Sequence, residues 1–493
     1  MKKFKKSISL ILSVLLVFLS FAFPAFAAFE KVDYKIQNNP YANVDWDSWK
    51  PYKVQLHCHT NASDGYMTIH EVIQADYDYG YDAVAVTDHG TINQGWNNQP
   101  NLVPLVRAVK YERTQLKPIE PLTEEEYKAY TTGTALTTDG EQRGPMTDIQ
   151  KGIELNMATP FADCHLTGYW SDYGQGLAGV YGDYETPARE VNKAGGVTML
   201  AHVAEFVYVK EGADTIPDHA GQKNDEYYVN KFARIFLDNA GSCVGMGVNS
   251  AEDWHTATDR ILYDQILEKT IPNGVIPWGF CFSDSHNYKS INDAWQVMYM
   301  PENTNESIRN CMVGGQMFAV SHFSRGKELN GMKEMPNFSD NTAVVEKNNT
   351  PLVTKVDVDD ENDTITVNTE NATQITWVSN GNVIKREDIK GGTASLDLND
   401  SKLLDTPEMY VRFYVTGENG ICYSEPITFL KGNEQLEPVD VPETHDISTF
   451  LRGLVTVLDW FHFKWDPIVW MFKAFALGYD PFKQIISSFQ AIS

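Results

Sequence analysis

Two histidines one residue apart, His57 and His59, stand in the segment LHCHTNASDG, with Asp64 five residues beyond the second. On an extended strand alternate side chains share a face, so the two imidazoles project together while Cys58 points the other way. A paired imidazole face with a carboxylate nearby offers ligands for a divalent cation. One such pair is weak, because a histidine at a strand end is often only packed or hydrogen-bonded. The signal gains force by recurring. AVAVTDH ends in Asp88 and His89, GIEL carries Glu154, DCHLTGY carries His165, VTMLAH ends in His202, and GFCFSDSH ends in Asp284 and His286. If these segments converge, the six histidines meet the carboxylates of Asp64, Glu154 and Asp284 in one pocket. Charges so dense in a cleft repel one another or need costly desolvation unless cations neutralise them.

Other residues are open to two readings. Arg107, Arg143 and Lys210 lie in segments that reach toward such a pocket and would give a phosphate charged donors. Each also reads as an ordinary solvated surface residue. Asp88 stands beside His89 either as support for a ligand or as a proton carrier, which makes Asp88, Arg143 and Glu154 the catalytic candidates. Residues 205–228, rich in acids and aromatics, form either a lid or a plain surface insertion. His70, His219, His255, His322, His445 and His462 match no ligand pattern and are read as structural. The cysteines (Cys58, Cys164, Cys243, Cys281, Cys311, Cys422) contain no CxxC pair and are read as buried free thiols, with a bridge left open.

Positioning these residues needs strands that end together. Short apolar runs at 54–57, 83–87, 149–157, 165–169, 197–202, 243–248, 275–282 and 294–300 alternate with helical patterns such as 187–194 and 258–270. Thr68 and Glu71 have the spacing of a capping box that opens a first helix. The alternation predicts a parallel α/β barrel over residues 50–330, whose strand ends meet at one mouth. After a polar linker, ITVNT, QITWV, ASLDL, YVRFYV and EPITFL predict a small antiparallel Ig-like β-sandwich over 350–432, with Trp377 in its core. A Pro- and acid-rich linker then leads to an aromatic tail, 446–493, whose first part is an amphipathic helix. Charges interrupt every long apolar run of that tail, so it lies on a membrane or envelope surface or docks on protein.

The first 27 residues have the lysines, apolar run and Ala-Phe-Ala ending of a secretory signal, which predicts a secreted or extracellular protein, with an uncleaved anchor as the other reading. Removing it takes four lysines and no acid, so the formal charge of −26 becomes −30. A surface this acidic repels nucleic acid and excludes it as a partner. An anionic substrate would need local positive charge, which bound metal ions supply.

LHCHTNASDG, VTDHG, GIEL, HLTGY, LAH and SDSH, in this order, resemble the motifs of the PHP (polymerase and histidinol phosphatase) family over about residues 52–323. The resemblance implies a distorted seven-stranded barrel holding two or three divalent metals and hydrolysing phosphoesters. It implies a first metal on His57, His59, Glu154 and Asp284, and a second on Glu154, His165 and His202, with Glu154 bridging. A third falls to Asp64, His89 and His286. GMGVN before Ser250, where many relatives carry a glutamate, and LAHV in place of AHP depart from the pattern and bear on substrate preference. Mixed nitrogen and oxygen ligands suit zinc, manganese or iron, and paired ions would hold a hydroxide nucleophile against a small phosphorylated substrate. Two alternatives stand beside this one: hydrolysis of a carboxylic ester or amide at the same metals, and a surface-binding protein with a structural metal cluster.

Overall fold

The computed structural model describes residues 31–101, 117–156, 165–174, 184–203, 226–250, 256–322 and 349–443. The signal segment, Arg107, Cys164, Lys210, all but the end of the 205–228 insertion, His219, His255 and the 446–493 tail lie outside them.

Two sheets carry the first part of the chain. Strands β1 (Tyr34–Asn38), β2 (Lys50–Gln55), β3 (Ala83–Val84) and β4 (Thr147–Asp148) precede a five-stranded sheet. That sheet holds, in order, β5 (Ile153–Asn156), β6 (His165–Tyr169), β7 (Val197–Leu200), β8 (Cys243–Ser250) and β9 (Trp278–Phe282). Next come β10 (Ala294–Met300) and β11 (Met317–Ser321). Strands β2, β3 and β4 pair in parallel, while β10 lies antiparallel between β2 and β11.

The expected all-parallel barrel is corrected in two respects. Strand β6 runs antiparallel to both β5 and β7. Residues 157–164, the connection from β5, are fewer than the roughly dozen that a parallel crossover needs. In addition, the described strands form no closed ladder. The sheets meet through isolated bridges, Cys58 with Ser285 and His89 with Glu154, just past the ends of β2 and β3.

Helices sit where capping and amphipathic spacing direct them. The helix Ile69–Asp78 begins at Thr68, whose hydroxyl accepts the Glu71 N–H while the Glu71 carboxylate takes the Thr68 N–H, and it buries Val72, Ile73 and Tyr77. Helices Glu185–Lys193 and Thr256–Thr270 occupy the two stretches expected to be helical.

The C-terminal strands are antiparallel as expected, but they do not stand apart. Strands β12 (Leu352–Asp359), β13 (Thr364–Glu370) and β16 (Thr393–Asp397) make a three-stranded sheet. In contrast, β14 (Gln374–Ser379), β15 (Asn382–Asp388), β17 (Tyr410–Gly417), β18 (Gly420–Ser424) and β19 (Ile427–Lys431) join the sheet of β2 and β10, because β18 pairs with β11 and β1 with β19. One apolar cluster contains Val84, Val86 and Trp295 together with Val353, Trp377 and Phe413. Trp377 is fully buried there, its ring 5.2 Å from that of Phe413.

The same strands also grip the helix that covers the five-stranded sheet. Arg412 on β17 donates to both carboxylate oxygens of Asp264 at 2.8 and 2.7 Å, Tyr410 donates to one of them at 2.7 Å, and all three side chains are buried. Gly279 of β9 donates its N–H to Glu425 at 2.8 Å. Among the described residues, Cys58, Cys243, Cys281, Cys311 and Cys422 are free and buried, and no helix is long and apolar enough to cross a membrane.

Candidate metal centre

The bridge from Cys58 to Ser285 prolongs β2 past Gln55, so the chain stays extended through His59. His57 and His59 therefore share one buried face, and Cys58 turns into the apolar core with its thiol toward the Ala85 carbonyl. Past β9, Asp284 takes a left-handed backbone (φ 44°), a conformation in which aspartate is one of the more frequent side chains. Its Oδ1 then lies 3.2 Å from His57 Nε2 and 3.0 Å from His59 Nε2.

Glu154 is the hub. Its Oε1 is 2.8 Å from His165 Nδ1 and 3.5 Å from both His57 Nε2 and His202 Nε2. Its Oε2 is 2.8 Å from His89 Nδ1 and 3.2 Å from His59 Nε2. Asp64 Oδ1 faces His286 Nε2 at 3.2 Å and His89 Nε2 at 3.6 Å. Behind Asp64 the turn admits only glycine, since a Cβ on Gly65 would come within 2.7 Å of the His59 carbonyl oxygen.

The nine positions form three groups whose ligand atoms all lie within 4.8 Å of one another: His57, His59, Glu154 and Asp284; Glu154, His165 and His202; and His59, Asp64, His89 and His286. Glu154 thus belongs to two groups, and the structure adds His59 to the third. The reversal of β6 matters here, because His165 is its first residue and reaches the mouth only if the strand runs backward.

The donor set fits divalent cations. Both Glu154 oxygens, His57 Nε2 and His89 Nδ1 are buried with no well-formed hydrogen bond, which leaves them available to a cation. Burial by itself would raise the Glu154 carboxyl, yet His89, His165 and His57 hold it well below the usual carboxylate range. Asp284 is held down likewise by His57, His286 and His59 against its burial. Burial disfavours the charged form of both imidazoles on the shared face. For His57 it prevails and lowers the ring, whereas Asp284 and Glu154 overcome it at His59 and raise that ring well above the ordinary histidine range. Protons and cations therefore compete for the same nitrogens.

Of the other singled-out residues, Asp88 lies next to the site and Arg143 does not. Asp88 is buried and accepts the Thr60 N–H, the Thr60 hydroxyl and the Ser63 hydroxyl, so it shapes the loop that carries Asp64. Arg143 donates to the backbone carbonyls of Tyr77 and Tyr81, stacks on the Tyr77 ring and lies 3.6 Å from Asp82. These partners end the helix Ile69–Asp78 and precede β3, whereas His89 follows β3. The proposed phosphate ligand is thus at the wrong end of its strand, where a cation suits a helix C-terminus. His70 lies 3.4 Å from Glu126, and His322 pairs with Asn292 and the Asn419 carbonyl, with burial lowering its ring to about 4. Neither belongs to the ligand groups.

Sequence reading missed the hydroxyls behind the ligands. Thr87 Oγ1 sits 2.7 Å from His57 Nδ1, and Ser63 Oγ 3.2 Å from His59 Nδ1. Thr87 lies in the VTDH segment and Ser63 in the NASD segment, so hydroxyl residues flanking each ligand were the available signal.

Residues 55–176 match the model of the PHP domain. The match takes in His57, His59, Asp64, His89, Glu154 and His165, while His202, Asp284 and His286 lie beyond it. No curated protein matches the chain. Among solved structures, it is similar to a two-domain protein from Bacteroides vulgatus containing a predicted PHP-like metal-dependent phosphoesterase, at 13% identity and a TM-score of 0.37 over 81% of this chain and 100% of that one. It is also similar to an amidohydrolase from Chromobacterium violaceum with bound sulfate and no metal, at 13% identity and a TM-score of 0.26 over 48% of this chain and 87% of that one.

Proposed function

We propose that this chain is an exported metal-dependent phosphoesterase that cleaves a small phosphorylated substrate at a di- or trinuclear site. Glu154 carries the reading. It is a buried carboxylate shared by two ligand groups, with both oxygens aimed at imidazole nitrogens and no well-formed hydrogen bond. Two or three zinc, manganese or iron ions held there supply Lewis acidity toward a phosphoryl oxygen and an activated water. Glu154, His57 and His59 are fully buried and hold the floor of the site, while the side chains of His165 (18%), Asp284 (13%) and His286 (13%) keep some exposure. Substrate therefore approaches past these three residues. Residues 1–27 would direct export, and residues 446–493 would touch a membrane or envelope surface.

Protein purified from metal-replete medium should contain at least two transition-metal equivalents per chain, and chelation should lower its melting temperature by linkage. Elemental analysis giving less than one equivalent would remove the metal-site assignment. A screen of phosphorylated metabolites on the metal-loaded protein then tests the reaction class, and the absence of any phosphate release would overturn it. For the tail, deleting residues 446–493 should abolish binding to anionic lipid vesicles without lowering catalysis. Equal vesicle binding by both proteins would leave no membrane role for it.

A further inference from the structure

The two imidazoles of the HxH pair are held from behind in different ways. Thr87 Oγ1 accepts the Cys58 N–H, donates to the Cys58 carbonyl and meets His57 Nδ1 at 2.7 Å, so the support of His57 ends on neutral backbone. His59 Nδ1 meets Ser63 Oγ at 3.2 Å, and that oxygen lies 2.6 Å from Asp88 Oδ1. Asp88 also takes the Thr60 N–H at 2.8 Å and the Thr60 hydroxyl at 2.6 Å, and the Thr60 oxygen accepts in turn from the Ala62 N–H.

The protons in this chain have one consistent arrangement. A carboxylate only accepts, so the single hydroxyl proton of Ser63 lies toward Asp88 over the short contact. The serine oxygen then accepts from His59, which fixes a proton on Nδ1. The nitrogen left to coordinate is Nε2, the atom 3.0 Å from Asp284 Oδ1 and 3.2 Å from Glu154 Oε2. His59 Nδ1 also lies 3.7 Å from Asp64 Oδ1, and His59 counts among the atoms of the third group as well as the first. Nε2 thus faces the carboxylates of the first group and Nδ1 lies toward Asp64 of the third, so the tautomer would decide which group the ring serves.

We propose that Asp88, acting through Ser63, is a positioning residue that commits His59 to the first cation and leaves the third to Asp64, His89 and His286. This rests on the metal-dependent reading of the site. Removing the Ser63 hydroxyl frees the His59 ring to present either nitrogen, so the first position loses a fixed ligand while the others keep theirs. Outer partners of ligating histidines typically change metal affinity by roughly 10- to 100-fold.

The test is calorimetric titration of metal-free protein with Zn2+ against a competing chelator, for wild type, Ser63→Ala and Thr60→Val. Both substitutions delete a hydroxyl that donates to Asp88, but only Ser63 touches His59. Ser63→Ala should weaken one tight zinc equivalent by roughly 10- to 100-fold and leave the weaker equivalents in place, whereas Thr60→Val should keep the wild-type isotherm. If Ser63→Ala does not fold, as judged by its metal-free melt, Asp88→Ala, which removes the acceptor of the Ser63 proton, should weaken the same equivalent. Wild-type zinc binding by the Ser63 or Asp88 variant, or an equal loss in Thr60→Val, overturns the proposal and leaves the metal centre standing. Absence of zinc binding by wild type overturns both.

Discussion

Glu154→Gln should lose most of its bound metal and nearly all phosphoesterase activity, whereas Asp64→Asn should keep part of both. The amide preserves the size of the side chain but removes the negative charge that two ligand groups share, so both of these candidate metal positions would be damaged at once. Asp64 belongs to the third group alone. The glutamine would also bury an NH2 among ring nitrogens that already carry or compete for protons. The comparison is made with p-nitrophenyl phosphate and its bis ester, with the metal content of each variant measured beside the rates. A Glu154→Gln protein with wild-type rates, or one whose loss is matched by Asp64→Asn, would show that Glu154 is not the bridging ligand.

Arg412→Met should destabilise the whole protein by about 3–5 kcal/mol, because it strands the buried carboxylate of Asp264 with only the Tyr410 hydroxyl as a described side-chain partner. Removing both charges, as in Arg412→Met with Asp264→Leu, should recover much of that loss, since the desolvated charge disappears along with its partner. Chemical denaturation followed by tryptophan fluorescence reads the effect, and a single transition is expected because β14, β15, β17, β18 and β19 share a sheet with β2 and β10. Two separate transitions, with only the later-sequence one shifted, would mean that the C-terminal strands fold as an independent unit.

How much of this was legible in the residues depended on the range of the interaction. The candidate ligand residues that the structure brings together were, because HxH, TDH and SDSH are local patterns whose residue types answer to one chemistry. The capping box at Thr68 and Glu71 was legible for the same reason. Strand direction was less so: DCHLTGY reads alike whether the strand runs toward the mouth or away from it, and only the short connection from β5 decides. Arg143 shows the converse failure, since a cation's sequence position does not tell which end of a strand it will reach. The pairing of β18 with β11 joins residues about a hundred positions apart, with no short-range pattern to announce it. The link from Asp88 through Ser63 lay inside the motifs, but its meaning depends on a hydroxyl's distance from two partners.

The seam between the two sheets has a consequence for the chain as a polymer. His57, His59, Asp64 and His89 come from the β2 and β3 side of it, and Glu154, His165, His202, Asp284 and His286 from the side of the five-stranded sheet. A cation held by His59 and Asp284 ties together residues 225 positions apart, closing a very large loop of the unfolded chain. Ties across long loops remove the most freedom from the unfolded state, though the cost grows only slowly with length. In a protein whose described cysteines are all free, metal ions bound at these groups would act as disulfides do in other chains, as removable cross-links between distant segments.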